Sequence, residues 1–138
     1  MRKAVEQVLC YRFEPEKLDA VRAVMRKLGI ECRNLPEESW REKVGFLLGR
    51  KGFQPMPRNE EETADFEFPE EVMVLDRIKG KRLDQVLKAM ADAGISSIKY
   101  KAVATPFNTL WTLRRLCETM QKEHAYMMEG AKRNDGEA

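Results

Sequence analysis

Apolar positions recur along the chain with two different periods, and the order of those periods occurs twice. Val8 to Phe13 and Val72 to Ile78 are short apolar runs rich in β-forming residues, closed by Glu14-Pro15 and by Lys79-Gly80, so both are predicted strands ending at turns. After each run the apolar spacing changes to three and four residues. Leu18, Val21, Met25 and Leu28, with Val24 widening the stripe, predict one amphipathic helix, and Leu83, Val86, Leu87 and Met90 predict another. Gly29 and Gly94 end these helices, because glycine takes the left-handed conformation that lets the last carbonyls find partners. Second strands are expected from Ile30 and from Ile95, the later one alternating Ile98, Tyr100, Ala102 and Ala104 with Lys99, Lys101 and Val103. Each half then closes with a predicted helix carrying a tryptophan in its opening turns, Trp40 in Glu37 to Arg50 and Trp111 in Asn108 to about Met128.

The two halves also align residue by residue. At a constant offset of 65, Glu6 to Ile30 and Glu71 to Ile95 share eight identities in 25 positions, among them Arg12 with Arg77, Leu18 with Leu83, Met25 with Met90 and Gly29 with Gly94. Aligning the tryptophans needs a gap of about six residues. The expected organisation is a first β-α-β-α repeat over residues 1–53, an acidic proline-containing linker over 54–70, a second repeat over 71–130 and a frayed tail over 131–138.

Right-handed crossovers make the strands of each unit parallel. The first strand of each copy is apolar on nearly every residue and belongs at the centre, whereas the lysine-alternating strand suits an edge. The fold class expected is α+β, a duplicated β-α-β-α unit forming a four-stranded ferredoxin-like plait of split β-α-β type with extra helices. The alternative is an α/β doubly wound parallel sheet.

Composition narrows the function classes. In 138 residues, 43% hydrophobic and 35% charged, there is enough apolar mass for a core and too much for a disordered chain. The net charge of +2 splits into +4 on residues 1–53, −6 on 54–71 and +4 on 72–138, which is too weak a basic footprint to make nucleic acid the expected partner. No apolar run approaches the roughly 20 residues that span a bilayer, so no membrane span is expected. Cys10, Cys32 and Cys117 are too scattered for a disulfide framework and nothing marks export, so a cytoplasmic location is the expectation.

From Glu71 to Met127 the chain carries an apolar strand, a helix ending in Gly94-Ile95, and the stretch Lys101-Ala102-Val103-Ala104-Thr105-Pro106-Phe107-Asn108-Thr109-Leu110-Trp111-Thr112-Leu113, followed by Glu123-His124. This segment resembles a family of short bacterial domains of unknown function with a Thr-Pro-x-Asn-x-x-Trp-Thr-Leu motif. The first copy has Asn34-Leu35-Pro36-Glu37 where that motif would stand. The resemblance implies no activity.

Four groups of residues are candidates for chemistry. Lys79, Gly80, Lys81 and Arg82 sit where a strand hands over to a helix N-terminus, a place where free N–H groups and cations suit a small anionic ligand. Lys101, Thr105, Asn108 and Trp111 form either a pocket mouth or a helix cap with an anchoring ring. Leu116, Met120, Met127 and Met128 widen the apolar surface of the last helix and make a homodimer or protein partner the expectation. Asp76, Lys101 and His124 are the acid or base candidates of an enzyme reading, but no spacing forces them together, and His124 lacks the companions of a metal site.

No catalytic constellation, cofactor motif or metal-ligand spacing is present. The reading the residues favour is a non-enzymatic protein-interaction or small-ligand-sensing module with no cofactor. The alternatives are a sheet that binds RNA through Lys99, Tyr100 and Lys101, and a small enzyme with an unrecognised acid–base pair.

Overall fold

The computed structural model of the chain describes residues 5–57 and 66–136, with side chains described as far as His124. In chain order the elements are β1 (Gln7–Tyr11), α1 (Pro15–Leu28), β2 (Glu31–Asn34), a 3-10 turn (Glu37–Arg41), α2 (Val44–Leu47), β3 (Val72–Asp76), α3 (Lys81–Asp92), β4 (Tyr100–Val103), a second 3-10 turn (Asn108–Leu110) and α4 (Leu113–Gly136). The strands form one open four-stranded sheet ordered β2-β1-β3-β4, with β1 and β3 in the centre. This is a mixed α+β, plait-like architecture.

Within each unit the two strands are direct neighbours and parallel, and the two units meet through antiparallel β1 and β3. That antiparallel centre excludes an all-parallel doubly wound sheet. It also makes the units unsplit: β2 lies beside β1 and does not cross to the far side of β3, the one respect in which strand order departs from a split plait.

Alternation along the central strands divides the core into two layers. Val8, Cys10, Met73 and Leu75 point to the face covered by α1 and α3, where Val21, Met25, Val86, Met90 and Ile98 close the packing. Leu9, Tyr11, Val72 and Val74 point to the other face, under Val44, Leu48, Phe68, Leu113, Leu116 and Cys117. Because both faces are covered, near-continuous apolar strands are required, which is why they read as unbroken runs.

Backbone details recur at the expected offset. Arg12 and Arg77, just past β1 and β3, have φ of 64° and 63°, a left-handed conformation uncommon outside glycine. Gly29 and Gly94 have φ of 74° and 76°, and behind them the Ile30 and Ile95 N–H groups donate to the Met25 and Met90 carbonyls at 2.9 and 3.1 Å. From the second strands onward the offset becomes 69. Leu35 N–H donates to Cys10 and Ala104 N–H to Leu75 in matching fashion, at 2.8 and 2.9 Å.

Three boundaries differ from the sequence reading. β4 starts at Tyr100 and not at Ile95, because Ser96 to Lys99 form an added loop that still sends Ile98 into the core. The tryptophan-bearing helices are each broken in two: Glu42-Lys43 and Trp111-Thr112 are extended and bond across to each other, Val44 N–H to the Trp111 carbonyl and Leu113 N–H to Glu42, both at 2.9 Å. Under the 69 offset Trp40 corresponds to Thr109 and Trp111 to Glu42, so a gap of four is right and the tryptophans are not counterparts. Finally, α4 runs to Gly136, into the stretch expected to fray, through the helix-forming Ala131-Lys132-Arg133. Residues 58–65 of the acidic linker lie outside the described residues.

Candidate ligand-binding site

A concavity bordered by four cations lies at the end of the sheet where β1 begins and β3 ends. Gln7 and Asp76 face each other there across the central pair. Asp76 is 1% exposed, and both its oxygens are bound: Gln7 Nε2 donates to Oδ2 at 3.0 Å and Arg50 Nη2 to Oδ1 at 2.6 Å. Gln7 Nε2 also donates to the Leu48 carbonyl at 2.8 Å, which ties the end of α2 onto the sheet. A buried carboxylate needs such partners, since an unpaired charge out of water is costly.

The chain reaches Arg50 by a turn with two left-handed glycines, Gly49 at φ 76° and Gly52 at φ 89°, which fold the strongly basic Arg50-Lys51 back over the sheet end. Gly45 permits this closure. Its hydrogen faces the ring of Phe53, which occupies the space a Cβ would need. The resulting cleft of about 460 Å³ is bordered by Arg33, Arg50, Lys51 and Arg77, four cations against Asp76, already neutralised, and Glu31. The Nε atoms of Arg33 and Arg50 are buried and find no hydrogen-bond partner among the described residues. Arg33 anchors its other end to the Leu47 carbonyl and also borders a neighbouring cleft of about 630 Å³ beside Glu38, Arg41 and Phe46. Such a set can hold an anion. It contains no nucleophile paired with a base, and among the described residues no three side chains are grouped to hold a metal ion.

Elsewhere, the residues singled out from sequence have mainly architectural surroundings. Arg82 turns inward: its Nε and Nη2 donate to both Glu6 carboxylate oxygens at 2.9 to 3.1 Å, and Nη2 donates to the Leu28 carbonyl at 2.7 Å. Glu6 raises the affinity of that guanidinium for its proton. Lys79, Gly80 and Lys81 are exposed beside it. Thr105 and Asn108 bond each other reciprocally, Thr105 N–H to Asn108 Oδ1 at 2.8 Å and Asn108 N–H to Thr105 Oγ1 at 3.0 Å, while Asn108 Nδ2 holds the Val103 carbonyl at 3.0 Å. That is a turn lock ahead of the 3-10 helix, not a pocket mouth. Lys101 donates to the Ile98 carbonyl at 2.8 Å, and Arg115 covers the Trp111 ring at 4.5 Å.

Leu116 is 3% exposed and belongs to the core of the chain itself, and Met120 packs against that core. The side chains of Met127 and Met128 lie outside the described residues. The acid–base candidates are kept apart. Lys101 faces the α1/α3 layer, Asp76 faces the other layer at the Val103 end of β3, and His124 stacks edge-on against Tyr100 at the opposite end, 5.7 Å between ring centres. Tyr100 itself is buried beneath Phe68 and His124, so its ring is not offered to a nucleic-acid base. No described helix is long and apolar enough to cross a membrane.

Sequence reasoning missed Arg33, Arg50 and Lys51. The available signal was Gly49-Arg50-Lys51-Gly52, a bracketed basic turn directly after an apolar run, with no equivalent in the second half. No curated protein and no solved structure matches the chain. Residues 71–127, from β3 through the first half of α4, match the family model described as Domain of unknown function (DUF3783).

Proposed function

We propose that the chain is a non-enzymatic module that binds a small anionic ligand, a phosphate or carboxylate, in the cleft at the Gln7–Asp76 end of the sheet. The observation that carries the reading is a cleft of about 460 Å³ bordered by four cations, Arg33, Arg50, Lys51 and Arg77, against the two carboxylates Glu31 and Asp76, of which Asp76 is held by Arg50 and Gln7. Arg77 supports it: this residue keeps a left-handed backbone, is exposed, borders the cleft, and among the described residues its side chain makes no hydrogen bond or ion pair. The test is thermal unfolding with inorganic phosphate, pyrophosphate, citrate and mononucleotides, each up to millimolar concentration. At least one is expected to raise the melting temperature, since a ligand that binds the native state stabilises it by mass action. The rise should disappear in Lys51→Gln/Arg77→Gly. No shift with any anion, or a shift that survives the double substitution, defeats the reading.

A second reading, protein interaction, has its own observation. Phe107 on the Thr105–Asn108 turn is 75% exposed and Leu110 at the end of the following 3-10 turn 60%, whereas the corresponding first-half positions are the charged Glu38 and Arg41. The turn is locked by its own hydrogen bonds, so these side chains are not needed to form it. Sedimentation of the chain at micromolar concentration, compared with Phe107→Glu/Leu110→Glu, tests whether this patch pairs two copies. Identical monomeric behaviour of both removes self-association through it.

A further inference from the structure

On the face of the sheet covered by α1 and α3, Cys10 of β1 and Cys32 of β2 stand on a diagonal two positions out of register, with their sulfurs 3.9 Å apart. Cys10 is fully buried under α1, while Cys32, on the edge strand, is partly exposed. Cys32 opens into a surface depression of about 360 Å³ walled by Arg22 and Arg26 of α1. The second half has Leu75 and Lys101 at the corresponding places, so this sheet position does not require a pair of thiols for packing.

We infer that Cys10 and Cys32 are a reversible oxidation site for hydroperoxides, with Cys32 the attacking thiol and Cys10 the resolving one. The environment assigns the roles. The hydrogen bond from Cys10 holds the Cys32 thiol below its ordinary range, and Arg22 acts in the same direction against the opposing effect of burial. The same contact, together with burial, pushes Cys10 well up, so Cys10 keeps its proton and donates it. The depression gives a peroxide access to one sulfur only.

In the first step the Cys32 thiolate attacks one peroxide oxygen and the O–O bond breaks. The leaving hydroxide or alkoxide takes up a proton, and Cys32 becomes a sulfenic acid. In the second, Cys10 sulfur attacks Cys32 sulfur, the S–O bond breaks, and the hydroxyl leaves as water with the Cys10 proton. Two thiols and one hydroperoxide thus give a disulfide, water and a second water or an alcohol. A small external dithiol reverses it by exchange. The product would bolt edge strand β2 to central strand β1.

The test uses the full, reduced chain treated with hydrogen peroxide, then alkylated and digested with trypsin. The expected result is a mass loss of about 2 Da, the peptides ending at Arg12 and Arg33 joined, and reversal by dithiothreitol. Cys32→Ser should abolish the link. In Cys10→Ser, dimedone should trap Cys32 as its sulfenic acid; should that buried substitution prevent folding, the wild-type link and the Cys32→Ser result still decide. Iodoacetamide should label Cys32 at least about tenfold faster than Cys117, which is buried and pushed up to about 12. Failure of the Cys10–Cys32 link to form, or labelling of Cys117 at a rate equal to that of Cys32, overturns the assignment. Neither readout depends on the anion cleft.

Discussion

Leu9 and Val74 stand directly opposite each other where β1 meets β3, and each is the counterpart of the other at the offset of 65. The pairing therefore reads the same from either end: Gln7 meets Asp76 at one end and Tyr11 meets Val72 at the other. The Lys43–Thr112 bridge on the helical layer repeats the relation at the offset of 69. Two matched units meet about a common line, and whatever differs between them is visible as a departure from that symmetry.

Leu9 and Val74 are 1% and 2% exposed, so truncating them leaves cavities at the centre of the molecule. Leu9→Ala is expected to lower unfolding stability by about 2 to 5 kcal/mol and Val74→Ala by somewhat less. Because the two touch across the strand pair, the double variant should differ from the sum of the singles by at least about 0.5 kcal/mol. Urea unfolding of the four chains measures this, and strict additivity would mean the two sites do not share one packing layer.

The units are also cross-tied by charge. Glu6 of the first half binds Arg82 of the second, and Lys17 of the first binds Glu71 of the second; Glu6 and Glu71, like Lys17 and Arg82, are counterparts. The Glu6–Arg82 pair is about one-third exposed and multiply hydrogen-bonded. Its coupling in a double-mutant cycle with Glu6→Ala and Arg82→Ala is expected to exceed that of the exposed Lys88–Asp92 pair. Raising salt to 1 M should shrink the second far more than the first, since a partly buried pair is screened less.

These relations explain what was legible in the sequence and what was not. Val8, Val72 and their neighbours announce central strands because burial on both faces leaves them no polar positions. Gly29 and Gly94 announce helix ends because their backbone angles demand it. The four-residue loop before β4 escaped because Ile95 and Ile98 both look like strand residues, and only the hydrogen bonds show that pairing waits until Tyr100. The cleft escaped for a different reason: Gln7, Arg33, Arg50 and Asp76 come from four distant segments, and no local spacing records a meeting that the sheet order creates. Arg82 was misleading in the opposite way, since a cation at a helix start also suits a partner carboxylate 76 residues away in sequence.

Gly45 tests the shape of that cleft. With the Phe53 ring occupying its Cβ position, Gly45→Ala must push the ring and with it the Gly49–Gly52 turn outward. Overpacking of this kind is expected to cost about 1 to 3 kcal/mol, even though alanine favours a helix. Phe53→Ala should relieve the clash, so that Gly45→Ala is less damaging in that background than in the wild type. A Gly45→Ala effect that is unchanged by Phe53→Ala would place the strain elsewhere.

Tyr11 predicts an alkaline signature. Its hydroxyl is buried and donates to the Glu37 carbonyl at 2.8 Å, and burial pushes the phenol from 10 up to about 12. The protonated phenol therefore contributes stability that is fully present below pH 10 and lost as pH rises through about 12, because the unfolded chain releases that proton first. Tyr11→Phe removes the hydrogen bond but cannot ionise. Between pH 7 and 9 the variant should be less stable by about 1 kcal/mol. From pH 10 the gap should close, and before pH 12 the phenylalanine chain should become the more stable of the two. Cys117 is present in both chains and its charge adds to burial in raising the phenol, so repeating the comparison in a Cys117→Ala background isolates the Tyr11 contribution. Denaturant unfolding of the pair at each pH measures the gap directly; a gap that stays constant from pH 8 to 12 would show that the phenol titrates alike in the folded and unfolded chains.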